Sequence, residues 1–412
     1  MKRGKGAFVL VEVLVLVACL VALMAMLAAD QRESMQAAQN RLRLQRADFA
    51  ARSAVALAVA TLEAADSNLV ALADDWAALG DLGNAEYTVG NATFRMEIVD
   101  AGAMVDVNFA EEEQLNLLPI DDEMRDCLLD WREGDTLARA AGAKDSYYNS
   151  LTPPYNARRG TIQTIDELLL VKGWTARRLY TTLDEDLRTG VSLDDDSGNP
   201  IPLARVFTTD SGAPNTRADG STRSNIGSGQ LSPVFFMQMG ADPMLAQRLA
   251  AAGPYSNFQQ LLTTPGVSTD MAQQLLDAVT FTNSTRLHGK MNANTASQAV
   301  LMTLPNMTSD IAANIVSRQS AGLASLGELA TIPGLEGSLL GEVADRLVVG
   351  SDVWIIRAYG SSGGQGQAVE VVVRKDSDRV RVITWQRVPG TGVPSWWGWN
   401  QDATYSTTVG ST

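Results

Sequence analysis

The sequence predicts a mixed α+β fold in which a long N-terminal helix and an antiparallel sheet carry a large inserted α-helical domain. Three observations predict it. An apolar run from Phe8 to Ala29 passes into further helical pattern with no Pro or Gly up to Asp66. β-Rich segments occur at two distant places, Glu86–Asp100 and residues 353–388. The residues between them contain a helical motif that recurs.

Taking the elements in order, residues 1–7 are a short basic head with Lys2, Arg3 and Lys5, and Glu12 is the one charge between Phe8 and Ala29. That run of about 22 residues would be roughly 33 Å long as a helix, enough to cross a hydrocarbon core. It is longer than a cleaved secretory signal usually is, and more helix follows it. Leu42, Phe49, Ser53, Ala56 and Ala60 recur at near-helical spacing beside Arg32, Arg41, Arg43, Arg46 and Arg52. A helix over 8–66 would be on the order of 90 Å long, half in lipid and half out. A carboxylate within the apolar part costs a few kcal/mol at mid-bilayer, so Glu12 either reaches the headgroups or finds a partner.

Residues 67–102 hold the first part of the sheet, where EYTVGNATFRMEIVD alternates around a Gly-Asn turn. Runs at Val353–Tyr359, Ala368–Lys375 and Val380–Val388, within 351–390, supply the remaining strands, with Gly360–Gly366 and Asp376–Asp378 read as turns. Between the two parts, residues 103–350 form the insertion, with units at about 103–185, 225–285 and 290–347 and a flexible polar loop at 190–229. Asn108, Ala110, Leu115, Leu118, Pro119 and Arg132 align without a gap on Asn294, Ala296, Leu301, Leu304, Pro305 and Arg318. A second half-motif, Ile165–Leu168 with Gly173, matches Leu326–Leu329 with Gly334, and a weaker third copy is Phe258–Leu261 with Gly266. Each half reads as helix, hairpin, helix. Residues 391–412 are a tail whose Trp396, Trp397 and Trp399 either pack on the sheet or meet a partner.

Composition narrows the chemistry. With 33 Lys+Arg against 47 Asp+Glu, the net charge of −14 disfavours nucleic acid. The hairpins at Leu118–Asp122 and Leu304–Met307 are neither basic nor Gly-rich. A membrane-tethered helix-hairpin-helix DNA-binding module is therefore the weakest alternative. Two cysteines, Cys19 and Cys127, exclude a disulfide framework, and His288 alone cannot build a multi-histidine metal site. No nucleophile constellation stands out, and the expectation is a protein that is not an enzyme.

The string FVLVEVLV after a basic head resembles the class III signal of type IV pilins and type II secretion pseudopilins. That resemblance implies cleavage by a prepilin peptidase within the segment Gly6, Ala7 and Phe8, after Gly6 or after Ala7, with methylation of the new N-terminus. Cleavage after Ala7 makes Phe8 the first residue and Glu12 the fifth, the position at which the family pairs a glutamate with the neighbouring subunit's amine. Cleavage after Gly6 makes Glu12 the sixth. Further stretches, VDVNFAEEEQLNLLP, LLDWREGD, GAKDSYYNSLTPPYNARRG, IDELLLVKG and MNANTASQAVLMTLP, resemble the K family of minor pseudopilins of the general secretion pathway. This implies a pilin-like fold and a single-pass inner-membrane protein with its body in the periplasm, at or near the tip of a pseudopilus. The partners implied are I- and J-type minor pseudopilins, the major pseudopilin, the peptidase and the inner-membrane secretion platform. A minor pilin of a type IV pilus or competence system is the alternative. Family members usually lack a fifth-position glutamate.

One acidic stretch invites a metal. Asp130–Asp135 and Asp145 lie in one region, and hard oxygen ligands suit calcium. The resemblance implies calcium in this loop, and matching the motif assigns Glu133, Asp135 and Asp145 as ligands. Lys144 stands where the family usually has an acid. A solvated acidic loop is the other reading.

Overall fold

A computed structural model describes residues 5–182, 193–195, 198–390, 392–399 and 405–408, with side chains for the described residues between Leu10 and Trp399. Residues 1–4 of the expected leader, the start of the expected loop at Gly190, and 400–404 and 409–412 of the tail lie outside the described residues.

Helix α1 (Lys5–Ala64) is unbroken, as a run free of interior Gly and Pro allows. Every residue from Leu10 to Leu42 is exposed. The second half presents a row of small residues, Ala47, Ala50, Ala51, Ala54 and Ala58, each 0% exposed against the sheet. Alanines let the helix axis come close. The C-terminal carbonyls that no helical N–H can reach are met by Lys375, whose Nζ donates to Leu62 O at 3.3 Å and Glu63 O at 2.8 Å, and also to Ala65 O. Helix α2 (Asp75–Ala78) follows, then the hairpin of β1 (Ala85–Val89) and β2 (Ala92–Asp100), turned at Gly90 with φ +58°.

The helical body is built from three units of one plan. The first runs from β3 (Val105–Asp106) through α3 (Glu112–Leu115), α4 (Asp122–Arg132), α5 (Asp145–Tyr148), a 3-10 turn at Ile165–Leu170 and α6 (Ala176–Tyr180) to β4 (Phe207–Thr208). After β5 (Gly212–Pro214), the second runs from β6 (Ser224–Asn225) through α7 (Pro233–Gln238), α8 (Pro243–Ala252), α9 (Phe258–Leu262) and α10 (Thr269–Ala278) to β7 (Val279–Thr280). After β8 (Arg286–His288), which pairs with β5, the third runs from β9 (Met291–Asn292) through α11 (Gln298–Leu301), α12 (Ser309–Gln319), a 3-10 turn at Leu326–Thr331 and α13 (Gly337–Ala344) to β10 (Leu347–Val348). Each unit is closed by a two-residue parallel ladder, β3 with β4, β6 with β7 and β9 with β10.

The same side chains do the same work in each copy. Asp106, Asn225 and Asn292 each accept the N–H two residues on, at 2.8, 2.7 and 3.0 Å. Asp121, Asp242 and Thr308 each cap the second helix through the N–H three residues on. Asn108 exchanges two amide hydrogen bonds with the backbone of Ile162, and Asn294 does so with Leu323.

The gapless alignment fails at one point. Arg132 donates to Val107 O and Ala110 O, both at 2.6 Å, but the equivalent carbonyls Ala293 O and Ala296 O are met by Gln319 at 2.9 and 2.7 Å. Arg318 instead binds Thr331. The second hairpin carries one more residue than the first, so α12 is one position later relative to α4.

The stretch expected to be a flexible loop at 190–229 is, where described, structured. Leu203, Val206, Phe207, Ala213 and Ile226 are buried, and β4, β5 and β6 all lie within it. Its apolar residues are spaced widely enough that their shared burial shows only in three dimensions.

The chain then returns to the sheet with β11 (Val353–Ser362), β12 (Gln365–Asp376) and β13 (Arg379–Val388). With β14 (Tyr405–Thr408), the order is β13-β12-β11-β2-β1-β14, antiparallel except that β14 runs parallel to β1. Gly360, read as a turn, lies inside β11, and the turn is confined to Gly363-Gly364. One face of the sheet packs Phe94, Met96, Ile98, Trp354, Ile356 and Val371 on α1. The opposite face buries Arg357 at 2% exposure between Glu97 and Glu370, and the tail covers it. Trp397 and Trp399 are buried there, with Trp399 Nε1 donating to Glu97 at 2.9 Å and Arg357 stacked on Trp396. The tryptophans therefore pack on the sheet.

Candidate functional site

Two places carry the expected functional residues. Gly6, Ala7 and Phe8 lie within the backbone of α1, and Glu12 is exposed one turn later. Above the most apolar stretch, Met35, Leu42 and Phe49 are 65%, 46% and 69% exposed and recur every seven residues. That spacing places them along one side of the helix, facing away from the alanine row.

The second place is the end of α4. Its last turn brings Asp130 inward, fully buried, and the chain then loops back over it. Gly142 is required there, because a Cβ would lie 1.9 Å from Asp130 Oδ2. Asp130, Glu133 and Asp135 can bring one oxygen each within 4.8 Å of one another, so the structure joins Glu133 and Asp135 to a third acid, Asp130, that the motif match left out. Asp145 is not in this group. It accepts the Ala157 N–H at 2.8 Å and pairs with Arg159 at 2.5 Å.

Two basic residues share the pocket. Lys144 Nζ donates to Asp130 O at 2.7 Å and Glu133 O at 3.1 Å, and pairs with Asp135 at 2.7 Å. Arg139 Nη2 donates to both oxygens of Glu133 at 2.8 and 2.9 Å, and its backbone N–H reaches Asp130 Oδ2 at 3.1 Å. Burial pushes the Asp130 carboxyl above its ordinary range, while the Lys144 ammonium holds Asp135 below its own. The donor chemistry suits a hard cation, but the position among these oxygens is filled by an ammonium, so the pocket as built does not fit a calcium ion. Arg139 lies six residues beyond Glu133. That separation shows nothing in sequence, because the loop decides it.

His288 ends β8. It stacks on Phe109 at 5.6 Å and meets Arg286 through Nδ1, and burial lowers its pKa with Arg286 adding to the effect.

Comparison with known proteins bears on the body of the chain. Residues 113–184 match one family model, and residues 291–350 a second, both described as "Type II secretion system (T2SS), protein K". Type II secretion system protein K of Aeromonas hydrophila is 42% identical over 62 residues, which is 15% of this chain and 18% of that relative's length. Among solved structures, a chain of the GspK-GspI-GspJ complex from enterotoxigenic Escherichia coli is similar at 13% identity, with a TM-score of 0.43, covering 86% of this chain and 99% of that one. The protein K matches thus fall on the first and the third unit of the helical body, and over those residues the chain is similar to protein K of the type II secretion system.

Proposed function

We propose that this chain is a minor pseudopilin of a type II secretion system, a structural subunit without enzymatic activity that supports protein export across the outer membrane. The observation that carries the reading is the division of α1. From Leu10 its first half is predominantly apolar and exposed, long enough to span a bilayer, while its second half is locked to the sheet by an alanine row. Such a helix anchors the chain in the inner membrane once and leaves the body in the periplasm. The exposed Met35, Leu42 and Phe49 offer a seam for the helix of a neighbouring subunit. The neighbours proposed are I- and J-type minor pseudopilins and the major pseudopilin, delivered after processing by the prepilin peptidase and assembled on the inner-membrane platform. A body as large as residues 103–350 is hard to repeat along a filament of packed helices, which supports a place at or near its tip.

A strain lacking the chain tests this. Export of type II substrates should stop and should return with the full chain, but not with Phe49→Glu, which sets a charge in the seam. Normal export in the deletion strain refutes the proposal.

A further inference from the structure

The oxygen cluster at the end of α4 has the donors of a cation site and a cation of its own. We propose that the Lys144 ammonium is the resident ion of this pocket, a tethered monovalent cation that does the structural work of a divalent one. The loop from Glu133 to Asp145 is thereby held without metal. This inference is independent of the pseudopilin reading.

The argument begins with burial and valence. The Lys144 side chain is 4% exposed, and an ammonium so placed needs its three protons accepted. The pocket supplies three acceptors: Asp130 O at 2.7 Å, Glu133 O at 3.1 Å and Asp135 Oδ1 at 2.7 Å. The buried Asp130 Oδ1 stands a little farther off at 3.8 Å. Mixed carboxylate and backbone carbonyl oxygens are also what a calcium ion gathers. Asp130 O and Glu133 O lie at the C-terminal end of α4, where carbonyls lack helical partners and positive charge is favoured.

Competition with a free ion then follows from charge. A divalent cation seated among these oxygens would lie within a few ångströms of the ammonium, with Asp130 buried beside it although Asp135 is open to solvent, so the two positive charges would repel. The ammonium would have to leave, and it is tied covalently to the loop that closes the pocket. Glu133 is already held through both oxygens by Arg139 Nη2, and Asp145 is committed to Arg159, so two of the three expected ligands would also have to give up partners.

The experiment uses the full chain in detergent, with melting followed by tryptophan fluorescence and calcium binding by equilibrium dialysis. The wild-type chain should melt within about 1 °C of the same temperature in chelator and in millimolar calcium, and should bind no calcium at one-to-one stoichiometry. Lys144→Ala leaves the oxygens uncompensated. It should melt about 5 °C or more lower in chelator and recover part of that loss when calcium is added. Stoichiometric calcium binding by the wild type overturns the proposal. So does a Lys144→Ala chain that melts like the wild type in chelator, or one that calcium does not restore.

Discussion

Gly360 tests the contact on which the sheet and α1 depend. It lies in β11 directly beneath the helix, and a Cβ there would stand 2.0 Å from Ala47 O and 2.6 Å from Ala51 N. Neither obstacle is a side chain that can rotate away. Both belong to helical backbone, so Gly360→Val forces the helix to lift by about 1 Å or the strand to sink. Overpacking of this kind costs about 1–3 kcal/mol, and valine adds two methyl groups beyond the first clash, so about 3 kcal/mol is expected. The alanine row from Ala47 to Ala58 makes the loss spread, since lifting a stiff helix at one point opens its neighbours. At about 2–4 °C per kcal/mol, the melting temperature of the full chain in detergent should fall by roughly 6–12 °C. Gly392→Ala is the control, because a Cβ there meets nothing within 4 Å, and it should melt like the wild type. A Gly360→Val chain that melts within about 1 °C of the wild type refutes the reasoning.

Two further outcomes follow from the repeats and from burial. Arg132→Ala strands the Val107 and Ala110 carbonyls and should destabilise by about 3 kcal/mol, whereas Arg132→Gln, which copies the third unit's Gln319, should keep most of the stability; equal losses in denaturant melts would show that the copies are not equivalent. Burial raises the Asp106 carboxyl from 3.8 to about 6, so the folded state holds this proton more tightly than the unfolded chain does. The resulting stability, on the order of 2–3 kcal/mol, is fully present below about pH 4 and is lost as pH rises through 6. The difference in melting temperature between the wild type and Asp106→Asn should therefore shift against the wild type from pH 4 to 7, and a difference independent of pH would contradict the assignment.

The α+β class was legible because its signals are local. Alternation marks β1, β2 and β11–β13, and the absence of Gly and Pro from Phe8 to Asp66 marks the body of α1. Asn108 and Asn294 also announced themselves, since each holds a distant backbone pair and the residues around it keep register. What sequence hid was long-range or one residue wide. The strands that close each unit are two residues long, and Phe207–Thr208 lies far from the β3 that it joins. The slip between Arg132 and Gln319 is invisible because an arginine happens to occupy position 318. Gly360 looked like turn because glycine usually relieves backbone conformation, whereas here it makes room for a helix. At the acidic loop, the carboxylates were visible as a cluster, but which acid turns inward and which cations answer it are set by the fold of the loop.

The body leaves the sheet after β2 and rejoins it at β11, and those two strands are hydrogen-bonded neighbours, with Asp100 opposite Trp354. Departure and return are thus one strand spacing apart, about 5 Å. Asp100 also fastens the threshold by accepting from Gly102, Asn292 and Thr295. An insert mounted on such a narrow doorway can grow, shrink or be exchanged for another without any rewiring of the shaft and sheet that bear it. Lineages could therefore vary the headpiece freely while conserving the way it is carried.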